Sequence, residues 1–195
     1  MKTKLGIVLM ALGLVMIAAS LGLFLSNTRE QQQAAEAVEA VMPQIVEAIL
    51  DQPDMTPVTV PHTPKQMPVV EIDGYGYIGF VGIPSLELEL PVMADWSYPQ
   101  LKLSPCRFSG DLYTGDLVVM AHNYEHHFGS LKDLRIGDPV TFTDMDGVTF
   151  EFAVTAVDIL SPMDVEEMTS GDHDLTLFTC TYGGKSRVTI RCDRM

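Results

Sequence analysis

Cys180 closes the apolar run LTLFTC, and Arg187 follows seven positions later, across the loop TYGGKS. A buried structural cysteine is the commonest fate of that residue. Three features point elsewhere. Thr179 and Thr181 flank the thiol, a glycine-containing loop follows, and the run ends where Cys180 stands. A strand end exposes a side chain while keeping its backbone rigid. If the Gly183-Gly184 pair turns the chain back, the guanidinium of Arg187 comes alongside; it then favours thiolate over thiol and offers donors to a developing oxyanion. His122 ends a second apolar run, DLVVMAH, where an imidazole can protonate a leaving group. Thiol and imidazole alone describe a thiol hydrolase. The arginine is the less usual addition.

Other candidates carry less. His126 and His127 are adjacent. Neighbours in an extended segment point apart, so both read as loop surface rather than as metal ligands. His62 and His173 sit in polar stretches and receive no role. Cys106 and Cys192 either pair as a disulfide or stay free and buried; the absence of CxxC spacing argues against structural zinc. The formal net charge is -14. An acidic surface repels phosphate backbones, which argues against nucleic acid as a partner.

Strands must hold these residues. From Tyr75 onward the sequence reads as short strands: YGYIGFVGI, the alternating LELEL of Leu86 to Leu90, DLVVMAH, DPVTFTD, TFEFAVTAVDIL, DLTLFTC and RVTIRC. The stretch Asp144 to Gly147 is a hairpin turn signal. FGSLKDL and VEEMTSG read as one or two helical turns. Many short strands in about 120 residues predict a mostly β domain, a closed barrel or a sandwich.

The N-terminus sets the compartment. Leu5 to Leu25 is 21 residues without a charge, about 30 Å as a helix and enough to span a bilayer. No convincing small-residue cleavage site follows, so the run is expected to remain as an anchor. Lys2 and Lys4 precede it, which favours a cytoplasmic N-terminus with the rest outside. Residues 26–50 then read as a helical stalk: Ala34, Val38, Val41, Ile45 and Ile49 recur at helical spacing. Thr28 with Gln31 resembles a capping box that would start this helix, and Pro43 is a potential kink. The apolar stripe either lies against the domain or the membrane surface, or serves self-association. Residues 51–70, holding Pro53, Pro57, Pro61, Pro64 and Pro68, read as an extended linker. The expected organisation is a tail over 1–4, an anchor over 5–25, the stalk, the linker, and a catalytic domain over 71–195.

The chain resembles the sortases, the membrane-anchored cysteine transpeptidases of Gram-positive bacteria. TLFTC matches their TLxTC signature, and RVTIR matches the final strand that begins with their arginine. LVVMAHNYEHHFGSLKDLRIGDPVTF matches the histidine segment, and VGIPSLELELPV matches the opening block. The four blocks occur in family order. The resemblance implies a closed sortase-type eight-stranded β-barrel with short helices, preceded by a transmembrane helix and a helical stalk. It implies Cys180 as nucleophile, His122 as acid and base, and Arg187 rather than Arg191 or Arg194 as the arginine, with Thr179 shaping the substrate groove. It also implies the partners: secreted proteins with an LPxTG-like sorting signal, and an amine of a cell-wall precursor or a pilin. No cofactor is expected; calcium, used by many members, would have to draw on carboxylates such as Glu87, Glu89 and Glu151. The short loop between Cys180 and Arg187, and the lack of an aspartate-proline-aromatic motif before the barrel, fit a compact member nearer classes B, D or E than a lidded pilus polymerase. The competing readings are a thiol hydrolase that releases the acyl group to water, a binding module, and a sortase substrate. The last would need a C-terminal sorting signal, and the sequence ends in RCDRM.

Overall fold

One helix, α1, takes up Lys2–Leu50. At about 1.5 Å per residue it is roughly 74 Å long. The computed structural model describes residues 2–51, 65–170 and 172–195. The apolar first half of α1 is exposed, and by length and composition the helix can cross a membrane. Its second half lies on the protein: Ala34 and Ile45 are fully buried, and Val38, Val41, Ala48 and Ile49 pack against the core. The apolar stripe read from the sequence therefore packs against the barrel. The capping box is corrected. Thr28 lies inside α1, and its hydroxyl donates to the Phe24 carbonyl at 3.0 Å. No glycine or proline stands between Leu25 and Pro43 to stop the helix, and it continues through Pro43 as well. The prolines of the expected linker up to Pro64 lie outside the described residues.

Nine strands follow: β1 (Val70–Ile72), β2 (Tyr75–Ile83), β3 (Leu88–Met93), β4 (Cys106–Ser109), β5 (Leu117–Ala121), β6 (Pro139–Asp144), β7 (Thr149–Leu160), β8 (Leu175–Cys180) and β9 (Arg187–Arg194). Two short helices interrupt them, α2 (Tyr98–Leu101) and α3 (Val165–Thr169). The sheet runs β2-β3-β4-β5-β8-β9-β7-β6, and β6 pairs back onto β2. Eight strands thus close a barrel, and β1 adds a short hairpin arm to β2. Closure pairs most strand edges, with the β3–β4 seam joined by one residue pair, Met93 and Cys106. Two neighbouring pairs are parallel, β3–β4 and β5–β8.

The barrel interior follows from alternation. Leu117, Val119 and Ala121 of β5, Leu175 and Leu177 of β8, and Val188, Ile190 and Cys192 of β9 all join the main core. Strand residues between them face outward. Val118 and Phe178 do so, and with Met168 of α3 they form a separate apolar patch outside the barrel wall, against which Phe108, Met120 and Leu160 pack.

The expected LELEL strand starts two residues later than read and runs on to Met93. Pro84–Leu86 forms a 3-10 turn and Glu87 adopts a left-handed conformation at φ 55°, so β3 begins at Leu88. Strands β1 and β4 and helix α2 were not anticipated; each is three or four residues long, too short to establish a period.

Candidate active site

Strand register brings Cys180 and Arg187 together. The loop 181–186 folds back through Gly183 and Gly184, both at positive φ (81° and 71°) that other residues adopt poorly. Thr181 and Ser186 lock the reversal: Thr181 N–H donates to the Ser186 carbonyl at 2.9 Å, and Ser186 N–H to Thr181 Oγ1 at 3.1 Å. Cys180 and Arg187 are then direct cross-strand partners of the antiparallel β8–β9 pair. Residues so placed have Cβ atoms about 4.5–5.5 Å apart. The guanidinium lies back over the loop, and Nη1 donates to the Gly184 and Ser186 carbonyls at 3.2 and 3.1 Å.

His122 arrives from the other side. β5 runs parallel to β8, with Ala121 opposite Thr179. His122, one residue on, leaves the strand beside Cys180, across a strand spacing of about 4.8 Å. Alternation fixes the face. Val118 and Met120 precede His122 on the outer side of β5, and Phe178 precedes Cys180 on the outer side of β8. Arg187 is out of phase with the core-facing Val188 and Ile190. The three candidates therefore share the outer face of the wall at one end of three adjacent strands. All three are half-buried.

Thr179 faces the opposite way. It is 3% exposed, and its hydroxyl donates to the Ala121 carbonyl at 2.8 Å. That bond ties the ends of β5 and β8, which carry His122 and Cys180.

The loop after His122 is tightly wound. Phe128 N–H donates to the His122 carbonyl at 3.2 Å, and Gly129 N–H to the Tyr124 carbonyl at 2.9 Å. A Cβ at Gly129 would meet that carbonyl oxygen at 2.7 Å, so only glycine fits. Tyr124 stacks on the His122 ring, with centroids 4.8 Å apart and planes 28° apart. Burial pushes the His122 imidazole below its usual pKa. Lys102 adds to that, and Glu30 of α1 opposes it.

His127 corrects the sequence reading. His126 is exposed as expected, but His127 is fully buried. The two do point apart; the chain winds so closely that one of them points into the protein. Neither ring nitrogen of His127 finds a hydrogen-bond partner of good geometry among the described residues. Burial first, then His122, pushes its pKa down to about 4, against an opposing pull from the Leu103 backbone.

The other two cysteines are ruled out as nucleophiles by position. Cys106 and Cys192 are free, fully buried, and packed in different apolar clusters. Burial pushes both thiols up to about 12. Arg191 shares the outward phase of Arg187 but is 3% exposed. Its Nη1 donates to the Met168 carbonyl and Thr176 Oγ1, and Nη2 to the Glu167 carbonyl, so it holds α3 on the wall. The carboxylates considered for calcium do not converge. Glu87 and Glu89 line a cleft between α1 and β3, while Glu151 is separated from Glu89 by Gly82 and Thr141 on two intervening strands. Among the described residues, no three His, Cys, Asp or Glu gather as a metal site.

An apolar strip runs along the same outer face. Phe178 meets Phe108 edge-on at 5.4 Å, and Phe108 stacks on Trp96 at 6.0 Å. The sequence motifs do not reveal this strip, because its members come from three separate segments. Only the outward phase of Phe178 relative to Cys180 hints at it.

A thiol, an imidazole and a guanidinium thus stand together at one end of a closed barrel. The description "Sortase domain" belongs to a family model that matches residues 81–195, more than half of the chain. The chain belongs to the sortase family, whose members are cysteine transpeptidases. Sortase A of Bacillus anthracis is 27% identical over 137 residues, covering 67% of this chain and 60% of the relative. The chain thus spans less than two thirds of that curated relative. Among solved structures, sortase C1 from Streptococcus suis is 27% identical with a TM-score of 0.53, covering 61% of this chain and 73% of its own. Sortase A from Corynebacterium diphtheriae shares the fold over 91% of this chain and 95% of its own, with a TM-score of 0.56 at 19% identity.

Proposed function

We propose that the protein is a membrane-anchored cysteine transpeptidase that cuts an LPxTG-like sorting signal and passes the acyl group to an amine. The common outer face of Cys180, His122 and Arg187 carries this reading. The Cys180 thiolate attacks the carbonyl carbon of the Thr-Gly bond, forming a carbon–sulfur bond and moving the carbonyl electron pair onto oxygen. The Arg187 guanidinium stabilises that oxyanion. As the intermediate collapses, the peptide C–N bond breaks and His122 imidazolium gives its proton to the departing amine. The thioester on Cys180 is then attacked by an incoming amine. Neutral His122 takes that amine's proton, and the thiolate leaves. The amine belongs to a cell-wall precursor or a pilin.

The apolar strip of Phe178, Phe108 and Trp96 suits the nonpolar part of a sorting signal. Thr179 acts by joining the two strand ends rather than by touching substrate. The apolar half of α1 serves as a single-pass anchor, with Lys2 and Lys4 on the cytoplasmic side and the barrel outside. The short 181–186 loop supports a compact, unlidded member. No cofactor enters this mechanism.

The test is product mass. The full-length chain in lipid nanodiscs is incubated with an LPxTG-like peptide and a glycyl amine. The reading expects peptide joined to the amine. Release of the free acid alone, with the amine in excess, would instead mark a thiol hydrolase.

A further inference from the structure

The anchor helix touches the histidine loop through one carboxylate. Glu30 lies in α1 five residues past Leu25, about 7.5 Å along the axis from the end of the uncharged stretch. Its Oε2 accepts from the Tyr124 hydroxyl at 3.2 Å, and its Oε1 from Lys102 Nζ at 3.1 Å. Tyr124 is 7% exposed and lies stacked against His122. A continuous set of contacts therefore runs from the first turns of α1 beyond the membrane span to the imidazole.

We propose that Glu30 and Tyr124 are positioning residues for His122, so that the juxtamembrane turn of the anchor helix sets the orientation of the acid–base group. The proposal rests on the transpeptidase reading above. Its physical basis is that His122 lies just past the end of β5, so its ring needs lateral support. A flat ring stacked on the imidazole restricts rotation about its side-chain bonds. The Tyr124 ring is in turn held by its hydroxyl bond to Glu30. Misplacing a reacting group by about 1 Å can cost on the order of 10²-fold in rate. Charged and titratable groups surround His122 on every side: Glu30 from α1, Lys102 after α2, Tyr124 and His127 from its own loop, and Cys180 and Arg187 from β8 and β9. Lys102 holds the Glu30 carboxyl below its usual range. Glu30 favours the imidazolium while Lys102 opposes it.

The experiment uses the full-length chain in lipid nanodiscs, with Tyr124→Phe, Tyr124→Leu and Glu30→Gln, and with His122→Ala and Cys180→Ala as references. Two quantities are read: kcat and KM on an LPxTG-like peptide, and the His122 titration by NMR of labelled imidazole. Tyr124→Leu should lower kcat about 10- to 100-fold with KM little changed. Tyr124→Phe, which keeps the ring, should cost a smaller fraction. Glu30→Gln should shift the His122 titration to lower pH, because the carboxylate that favours the imidazolium is lost. Unchanged kcat in Tyr124→Leu, or an unchanged His122 titration in Glu30→Gln, overturns the proposal. If Tyr124→Leu does not fold, Tyr124→Phe and Glu30→Gln still decide it. Full activity in His122→Ala would instead refute the transpeptidase reading. The titration needs no substrate and judges the coupling to Glu30 independently.

Discussion

Cys180 and Arg187 face each other as the cross-strand pair at the hairpin end of β8 and β9, where the chain reverses. The Gly183-Gly184 turn and the Thr181–Ser186 lock fix that register. A one-residue slip would send one of the two side chains into the barrel. The pairing is therefore set by the sheet that builds the core, and the side chains need no mobile loop to meet.

The three thiols should differ sharply in reactivity. Cys180 is half-buried at a strand end, while Cys106 and Cys192 are sealed and their thiols pushed up to about 12. Brief native treatment with iodoacetamide should modify Cys180 alone, as read by peptide mapping, and activity should fall in step. Equal labelling of Cys106 or Cys192 in folded protein would contradict their burial.

Arg187→Lys should cost about 10²-fold in kcat despite the retained charge. An ammonium lacks the planar fork with which Arg187 bonds the loop carbonyls and, in the proposed mechanism, the oxyanion. Steady-state kinetics on a sorting peptide checks this. A near-full rate in the lysine variant would remove the oxyanion role.

The β8 and β9 motifs are legible in the sequence because one apolar phase runs through each of them, and the turn between them is spelled by two glycines. The strands are legible for a similar reason, since most carry a period or an apolar run; those runs fit a barrel or a sandwich alike, and only the resemblance to the sortases points to closure. What escapes is tertiary. β1, β4 and α2 are too short for a pattern. His127 reads as surface because nothing local shows that its loop winds inward beneath Tyr124. Arg191 matches Arg187 in phase, and only its cover by α3 sets it apart. The Glu30–Tyr124 bond joins residues 94 apart in sequence, a separation no local signal bridges.

His127 should make stability depend on pH. Its folded pKa, about 4, lies below its ordinary 6.5. Above pH 6.5 neither state binds the proton and the fold has its full stability. As pH falls from 6.5 toward 4, the unfolded chain takes up a proton that the folded one refuses, and stability drops by up to about 3 kcal/mol. Denaturant unfolding at pH 7 and pH 4.5 should show His127→Phe losing less stability than the parent. Equal losses in both proteins would show that His127 is not the group responsible.

The central claim is that the sulfur of Cys180 carries the acyl group. Intact-mass analysis of the full-length chain, quenched in acid after seconds with an LPxTG-like peptide and no added amine, tests it most directly. The predicted result is a thioester adduct of the N-terminal peptide fragment on Cys180, discharged when an amine is added and absent in Cys180→Ala. An adduct on another residue, or turnover with Cys180→Ala at the parental rate, would contradict it.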